Sequence, residues 1–211
     1  MAPMSSTASE VYSAGEQVIL LQVALASIQS GLDTGTPLQV HPDAYPPALS
    51  AMRASFVTLK HNGDLRGCIG SLTPVTSLVE DVAHNAFAAA FRDPRFLALT
   101  AAELQDLEIA ISVLGPTESM AFASEQELLG MLHPGIDGLV LQDGRNRGTF
   151  LPAVWESLPQ PADFLDHLKQ KAGLPANYWS DTLEIQRYTT VSFAADVAGI
   201  RQAQGEPVSA G

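Results

Sequence analysis

The chain has 211 residues, of which 46% are hydrophobic and 16% charged, with 11 basic against 23 acidic side chains and a formal net charge of −12. This composition is typical of a globular protein with a substantial core, built as one domain or as two small lobes that fold together. No run of basic residues interrupts the acidic balance, which disfavours a nucleic-acid partner because nucleic-acid binding draws on clustered positive charge.

The single cysteine, Cys68, excludes an intramolecular disulfide and fits a reducing compartment. The start of the chain lacks the positive segment of a signal peptide, and the apolar run VILLQVALASI is broken by Gln22 and too short to cross a bilayer. We therefore expect a cytoplasmic protein without a membrane partner. Residues 1–10 and 199–211 are predicted to be flexible ends, and the oligomeric state is left open.

The first predicted element is a helix that begins at Ser13, where Ser13 and Glu16 have capping-box spacing, and ends at Gly31. Residues 33–49 hold four prolines, which predicts an irregular connection. The segments SFVTLK and LRGCIGSL then flank an Asn62-Gly63 pair, which predicts a β-hairpin with a type I′ turn.

The next predicted helix starts at Thr73 or at Ser77, where Glu80 completes a capping box, and it stops by Asp93 because a proline follows. A short helix in TAAELQDL leads into the strand EIAISVL, and SEQELLGML is a further helix.

The last third of the chain predicts a second hairpin in GLVLQDGRNRGTFLP, a helix from Pro161 to Gly173 and a late strand in LEIQRYTTVSF. Hairpins and irregularly placed helices, without regular βαβ units, predict an α+β fold with a largely antiparallel sheet flanked by helices.

Five segments in this order resemble the AMMECR family (AmmeMemoRadiSam system protein A): LRGCIG, AAAFRDPRF, ELQDLEIAISVL, GLVLQDGRNRGTFLP and FLDHLKQKAGL. The resemblance runs from about Val18 to Phe193 and implies a single domain over residues 11–198. It further implies a larger and a smaller lobe, intimately packed, with a groove between them that the LRGCIG segment lines.

The family resemblance also implies an association with a Memo-like protein and a radical-SAM protein, without an established reaction. No cofactor is predicted. Ala153 stands where family members often carry Gln, so any ligand contact that this Gln makes is lost in the present chain.

Cys68 is the first candidate functional residue. In a strand, alternate side chains point to opposite faces. One face of this strand then holds Leu65, Gly67 and Ile69, and the other holds Arg66, Cys68 and Gly70. Arg66 and Cys68 are then predicted side by side, about 7 Å apart at Cβ, where a guanidinium favours a thiolate. Gly67 and Gly70 permit close approach of a backbone or a ligand.

The same segment also fits a structural role. Free cysteine is among the most buried residue types, and glycines in strands mark bulges or close packing. A nucleophilic cysteine also needs a base, and local spacing places none beside Cys68.

The RDPRF segment has two interpretations as well. In the structural one, Asp93 accepts backbone hydrogen bonds in a turn while Arg95 covers a carbonyl or a carboxylate. In the functional one, Arg95 is an anion clamp. We favour the structural role because helix-ending Asp-Pro turns are common.

The remaining candidates are weaker. The five histidines have no HxH, HxxxH or similar ligand spacing, so no metal site is predicted: His41, His61, His84, His133 and His167. Arg145 and Arg147 lie at the predicted tip of the second hairpin, where a solvated turn is the default and an anion-binding tip the alternative.

Two functional hypotheses follow. The first is an accessory protein that binds a partner or ligand through a groove formed by six residues: Arg66, Gly67, Cys68, Gly70, Asp93 and Arg95. The second is an enzyme acting on a small anionic substrate, with Cys68 as nucleophile or thiolate, Arg66 as its activator and Arg95 as anion clamp. The first is favoured because the sequence contains no assembled catalytic set.

Overall fold

Two four-stranded antiparallel sheets and six helices form the protein, as seen in a computed structural model that describes residues 12–203. The chain divides into two units, of which the first comprises residues 12–114 with 191–203 and the second residues 115–190. The predicted α+β class and its antiparallel pairing are confirmed, although the strands form two sheets and not one.

The elements of the first unit are α1 (Ala14–Thr34), α2 (Pro47–Ser50), β1 (Ser55–His61), β2 (Asp64–Gly70), α3 (Leu78–Phe91), β3 (Leu107–Leu114), β8 (Thr190–Asp196) and α6 (Val197–Ala203). Its sheet has the order β2-β1-β3-β8, so β2 lies at an edge. The helices α1 and α3 pack against each other, and α3 packs against β1 and β2.

The elements of the second unit are β4 (Glu118–Ser119), α4 (Glu125–Met131), β5 (Gly138–Asp143), β6 (Asn146–Phe150), α5 (Pro161–Lys171) and β7 (Glu184–Tyr188). Its sheet has the order β4-β7-β5-β6 and its own apolar core, centred on Phe164, Leu165 and Leu168 of α5. Trp155 stacks on Phe164 with 3.8 Å between the ring centroids.

The predicted late strand LEIQRYTTVSF is two strands that belong to different sheets. Its first part, β7, pairs with β5 in the second unit, whereas β8 lies beside β3 in the first. The hydroxyls of Ser112 and Ser192 are 2.9 Å apart, and the Gly115 N–H donates to the Thr189 carbonyl at 2.9 Å. The second unit is therefore an insertion between two neighbouring strands of the first sheet.

Both predicted capping boxes are present. The Ser13 hydroxyl accepts the Glu16 N–H at the start of α1, and Ser77 and Glu80 make the same pair at the start of α3, which excludes Thr73 as its beginning. The predicted end of α1 at Gly31 is wrong, because the helix continues to Thr34. A Cβ on Gly31 would lie 2.2 Å from the Phe91 ring, so this glycine allows α3 to pack closely on α1.

The predicted start of the flexible tail, residue 199, lies too early in the chain. Residues 199–203 lie in α6, where Val197 and Ile200 are buried against the core of the first unit. Residues 1–11 and 204–211, which include the other predicted flexible segments, lie outside the described residues. Within residues 12–203, no helix is both long enough and apolar enough to cross a membrane.

A buried polar cluster fixes α3 against the sheet. The Asp81 carboxylate accepts hydrogen bonds from the Ser55 N–H at 2.7 Å and the Ser55 hydroxyl at 2.6 Å. It also accepts from the Ser71 hydroxyl and the Asn85 amide, both at 2.8 Å. Burial raises the pKa of Asp81 above its ordinary value, and the three hydrogen bonds from Ser55 and Ser71 act in the opposite direction.

Candidate functional site

A β-bulge at Arg66 changes which side chains share a face of β2. Leu59 pairs with Gly67 whereas Lys60 pairs with Leu65, so Arg66 is an extra residue between the two pairs. The prediction that Leu65 shares a face of the strand with Ile69 is therefore wrong. Leu65 lies on the outer face with Cys68 and is 45% exposed.

Arg66 forms an ion pair with Glu103, a partner that the sequence did not predict. Its Nε lies 2.6 Å from Glu103 Oε1, and its side chain is only 13% exposed. The same carboxylate accepts the N–H and the hydroxyl of Thr100, each at 2.9 Å. Arg66 above all, and then Thr100, lower the pKa of Glu103 to about 2. The short helix predicted around Glu103 is a single 3-10 turn, Leu104–Asp106.

Asp93 and Arg95 form a second ion pair at β2. Arg95 donates from Nη2 to Asp93 Oδ2 at 2.6 Å and from Nε to Oδ1 at 2.9 Å. The Asp93 side chain is 2% exposed, whereas that of Arg95 is 52% exposed. The hydrogen bonds from Arg95 hold the pKa of Asp93 well below its usual range, and Asp93 in turn raises the pKa of Arg95, with a smaller contribution from Cys68.

This ion pair completes the outer edge of β2 at Cys68. Asp93 Oδ2 accepts the Cys68 N–H at 2.9 Å, and Arg95 Nη2 donates to the Cys68 carbonyl at 3.4 Å. The two side chains thus supply the acceptor and the donor that a neighbouring strand would supply. The structural interpretation of RDPRF therefore accounts for the hydrogen bonds of Asp93 and for two of the three guanidinium nitrogens of Arg95, Nε and Nη2.

Cys68 is partly buried, and its thiol is free of a disulfide. Because the Cys68 N–H points away from β1, Thr58 and Cys68 form a non-hydrogen-bonded pair, in which the side chains approach closely. The Thr58 hydroxyl donates to Cys68 Sγ at 3.2 Å. The sulfur therefore has a hydroxyl as its hydrogen-bond partner, and Thr58 is a site residue that the sequence did not indicate.

The two glycines of LRGCIG serve close packing. A Cβ on Gly67 would lie 2.1 Å from the Ala89 carbonyl oxygen of α3, and a Cβ on Gly70 would lie 2.2 Å from the Phe56 ring. The close backbone approach expected at Gly67 is thus made by a helix of the same unit.

The predicted site residues divide into two groups. Cys68, Asp93 and Arg95 come together at one point of β2, while Arg66 turns to Glu103. Arg66 pairs with Glu103 and not with the thiol as predicted, and Arg95 is the guanidinium that contacts Cys68, through the Cys68 carbonyl. The groove that the resemblance implies stays a prediction.

Other candidate groups have separate surroundings. Among residues 12–203, no cluster of three or more His, Cys, Asp and Glu side chains has the arrangement of a metal site. The exposed His133 ring contacts the buried Asp137 carboxylate at 3.1 Å, a pair that spacing alone did not single out. Arg145 and Arg147 are exposed beside the turn of the β5–β6 hairpin.

The fold and the site define an α+β protein with two antiparallel sheets, in which charged side chains complete a strand edge at the cysteine. The chain belongs to the AMMECR1 family, whose profile matches residues 21–193. The resemblance read from LRGCIG and the segments after it is thereby confirmed.

Individual relatives cover most of the chain. A protein of Methanothermobacter thermautotrophicus is 33% identical over 183 residues, which is 84% of this chain and 93% of the relative. A protein of Thermotoga maritima is 38% identical over 154 residues, 71% of this chain and 83% of the relative. The crystal structure of the uncharacterized protein PH0010 from Pyrococcus horikoshii is similar with a TM-score of 0.77 at 32% identity, and the match covers 83% of this chain and 89% of that one.

Proposed function

We propose that this protein is an accessory protein that binds a partner through the surface lined by the LRGCIG segment. The partners that the family resemblance implies are a Memo-like protein and a radical-SAM protein. The single cysteine fits the cytoplasm as the compartment where they would meet.

One observation carries the proposal: the charged groups around Cys68 are already neutralised by one another. Asp93 is paired with Arg95, and Arg66 with Glu103. A nucleophilic cysteine needs a base to take its proton, whereas the hydrogen-bond partner of Cys68 Sγ is the Thr58 hydroxyl, which acts as donor. Such a charge-balanced, ordered surface is better suited to recognition than to proton transfer.

The test is a binding titration with both partners from the same organism, purified separately and measured by calorimetry over a range of salt concentrations. We expect wild-type protein and Cys68→Ala to bind one of them with equal affinity, because the thiol supplies no required chemistry. Absence of binding to both partners contradicts the proposal, whereas loss of binding in Cys68→Ala with an unchanged circular dichroism spectrum would mean that the thiol itself makes a required contact with the partner.

A second candidate function is an enzyme that uses Cys68 on a small anionic substrate. It is favoured by the partial burial of the thiol and by the proximity of Arg95, which keeps about half of its side chain exposed. In this function Arg95, and not Arg66, is the cation that would stabilise a thiolate.

The rate of Cys68 alkylation by iodoacetamide distinguishes the two functions. An enzymatic thiol reacts faster in the folded protein than in the urea-unfolded chain, and Arg95→Gln slows it while Arg92→Gln, on the same loop, does not. Slower reaction in the folded protein than in the unfolded chain contradicts the enzymatic role.

A further inference from the structure

The segment between α3 and the 3-10 turn differs in charge from the rest of this acidic chain. The sequence has 23 acidic residues, but residues 82–102 contain only Asp93. The Asp93 side chain is 2% exposed and already paired. We call residues 92–97 the basic loop, because Arg92 and Arg95 are its exposed charged side chains.

Both arginines of the basic loop have capacity for a further carboxylate. The Arg92 guanidinium lies 5.0 Å from the centre of the Phe87 ring, and within residues 12–203 it forms no ion pair. Arg95 uses Nε and Nη2 for Asp93, which leaves Nη1 on a half-exposed side chain. A planar guanidinium is well suited to a second carboxylate.

The basic loop also holds a large apolar side chain in solvent. Leu97 is 88% exposed, more than any other large hydrophobic residue of the described chain. The backbone around it is fixed, since the Phe96 N–H donates to the Asp93 carbonyl at 3.1 Å and the Leu99 N–H to the Ala90 carbonyl at 2.9 Å. Ordering this loop on binding therefore requires little further loss of conformational entropy.

We propose that the basic loop docks an acidic segment of a partner protein, in which a large apolar side chain contacts Leu97 between carboxylates that bind Arg92 and Arg95. Charge complementarity selects this occupant, because residues 92–97 carry two exposed arginines against one buried carboxylate on a chain with net charge −12. The inference rests on the proposed partner-binding function and adds to it the basic loop, whose Arg95 contacts Cys68 of LRGCIG, and the chemistry of the partner.

The probe is a short synthetic peptide of glutamate and leucine, with its lysine–leucine counterpart as control, titrated into ¹⁵N-labelled protein. We expect the acidic peptide to shift the amide signals of residues 92–97 and added salt to weaken this effect. Leu97→Glu should reduce the affinity by about tenfold, because it places a carboxylate against carboxylates.

Val75→Glu is the matched control, because it adds the same charge at a 69% exposed side chain. Val75 precedes α3, whose 14 residues separate it from the basic loop by about 20 Å at 1.5 Å per residue. The Val75→Glu variant should therefore bind the acidic peptide with the same affinity as the wild type. Equal shifts with the lysine peptide, shifts confined to other residues, or no shifts at all would overturn the inference.

The proposed function and this inference fail in different experiments. If neither the Memo-like nor the radical-SAM protein binds while the acidic peptide still maps to the basic loop, the proposed partners are wrong and the docking surface stands. If a partner binds Leu97→Glu as tightly as the wild type, the accessory role stands and the basic loop is not its docking surface.

Discussion

Replacement of Gly67 by alanine tests whether LRGCIG is shaped by packing against α3. The new Cβ would lie 2.1 Å from the Ala89 carbonyl oxygen and 3.0 Å from its carbonyl carbon. Ordinary contact begins at about 3.4 Å, so strand and helix would have to separate by more than 1 Å. The Asp81 hydrogen bonds to Ser55 and Ser71 oppose that movement, because they hold the same helix on the same sheet.

Overpacking of a core by one methyl group costs about 1–3 kcal/mol, and we expect the upper end of this range because the atom in contact belongs to the backbone. A loss of about 3 kcal/mol lowers the Tm by about 6–12 °C for a chain of this size. Urea unfolding followed by circular dichroism, together with calorimetry, measures both quantities.

Gly15→Ala is the control for this experiment, because among residues 12–203 a Cβ at that position of α1 would meet no atom within 4 Å apart from the adjoining helix backbone. We expect its free energy of unfolding to stay within about 0.5 kcal/mol of the wild type. If Gly67→Ala is as stable as Gly15→Ala, close packing does not explain the glycine, and the approach of a ligand becomes the better explanation.

Three further predictions concern the strand edge, acid stability and the insertion. Asp93→Ala should lower the free energy of unfolding by about 1–3 kcal/mol, because it leaves the Cys68 N–H without an acceptor, and hydrogen exchange at that amide should accelerate. The pKa of Glu103 is lowered from 4.5 to about 2, so the stability it contributes is complete above pH 4.5 and is lost as the pH falls towards 2; Glu103→Gln should reduce that dependence in acid titrations of unfolding. A chain in which an Asn-Gly turn joins Leu114 to Val191 should fold, because the strands it connects are already neighbours in one sheet.

Each of these predictions has a contrary result. Unchanged exchange at Cys68 in Asp93→Ala would mean that the carboxylate does not protect this amide. Equal acid dependence in wild type and Glu103→Gln would assign the effect to other groups. An unfolded product after removal of the second unit, as judged by circular dichroism and by the absence of cooperative unfolding, would mean that the first unit does not fold alone.

The features that the sequence predicted correctly depend on residues close in the chain. The capping boxes at Ser13 and Ser77 each join residues three positions apart. The hairpin turn at Asn62-Gly63 has positive φ angles of 53° and 88° at its two residues, as a type I′ turn requires. Such local hydrogen bonds and dihedral preferences form whatever the rest of the fold is.

The site features that were missed depend on contacts between distant residues. Regular pairing from the Asn62-Gly63 turn places Thr58 opposite Gly67, and only the bulge at Arg66 moves Thr58 to Cys68. Glu103 is 37 positions from Arg66, so no spacing rule connects them. The late strand breaks after Tyr188 because its two parts, β7 and β8, belong to different sheets. A continuous apolar pattern in the sequence does not reveal such a change of sheet.

The hydrogen bonds of Asp93 and Arg95 to Cys68 have a consequence for self-association. Exposed edge strands invite pairing with strands of other molecules, and proteins that remain dispersed need a means to prevent it. Here a carboxylate and a guanidinium from RDPRF occupy the outward N–H and carbonyl of Cys68, in the middle of LRGCIG. A chain that carries both segments therefore protects this sheet from aggregation through the residues by which its family is recognised.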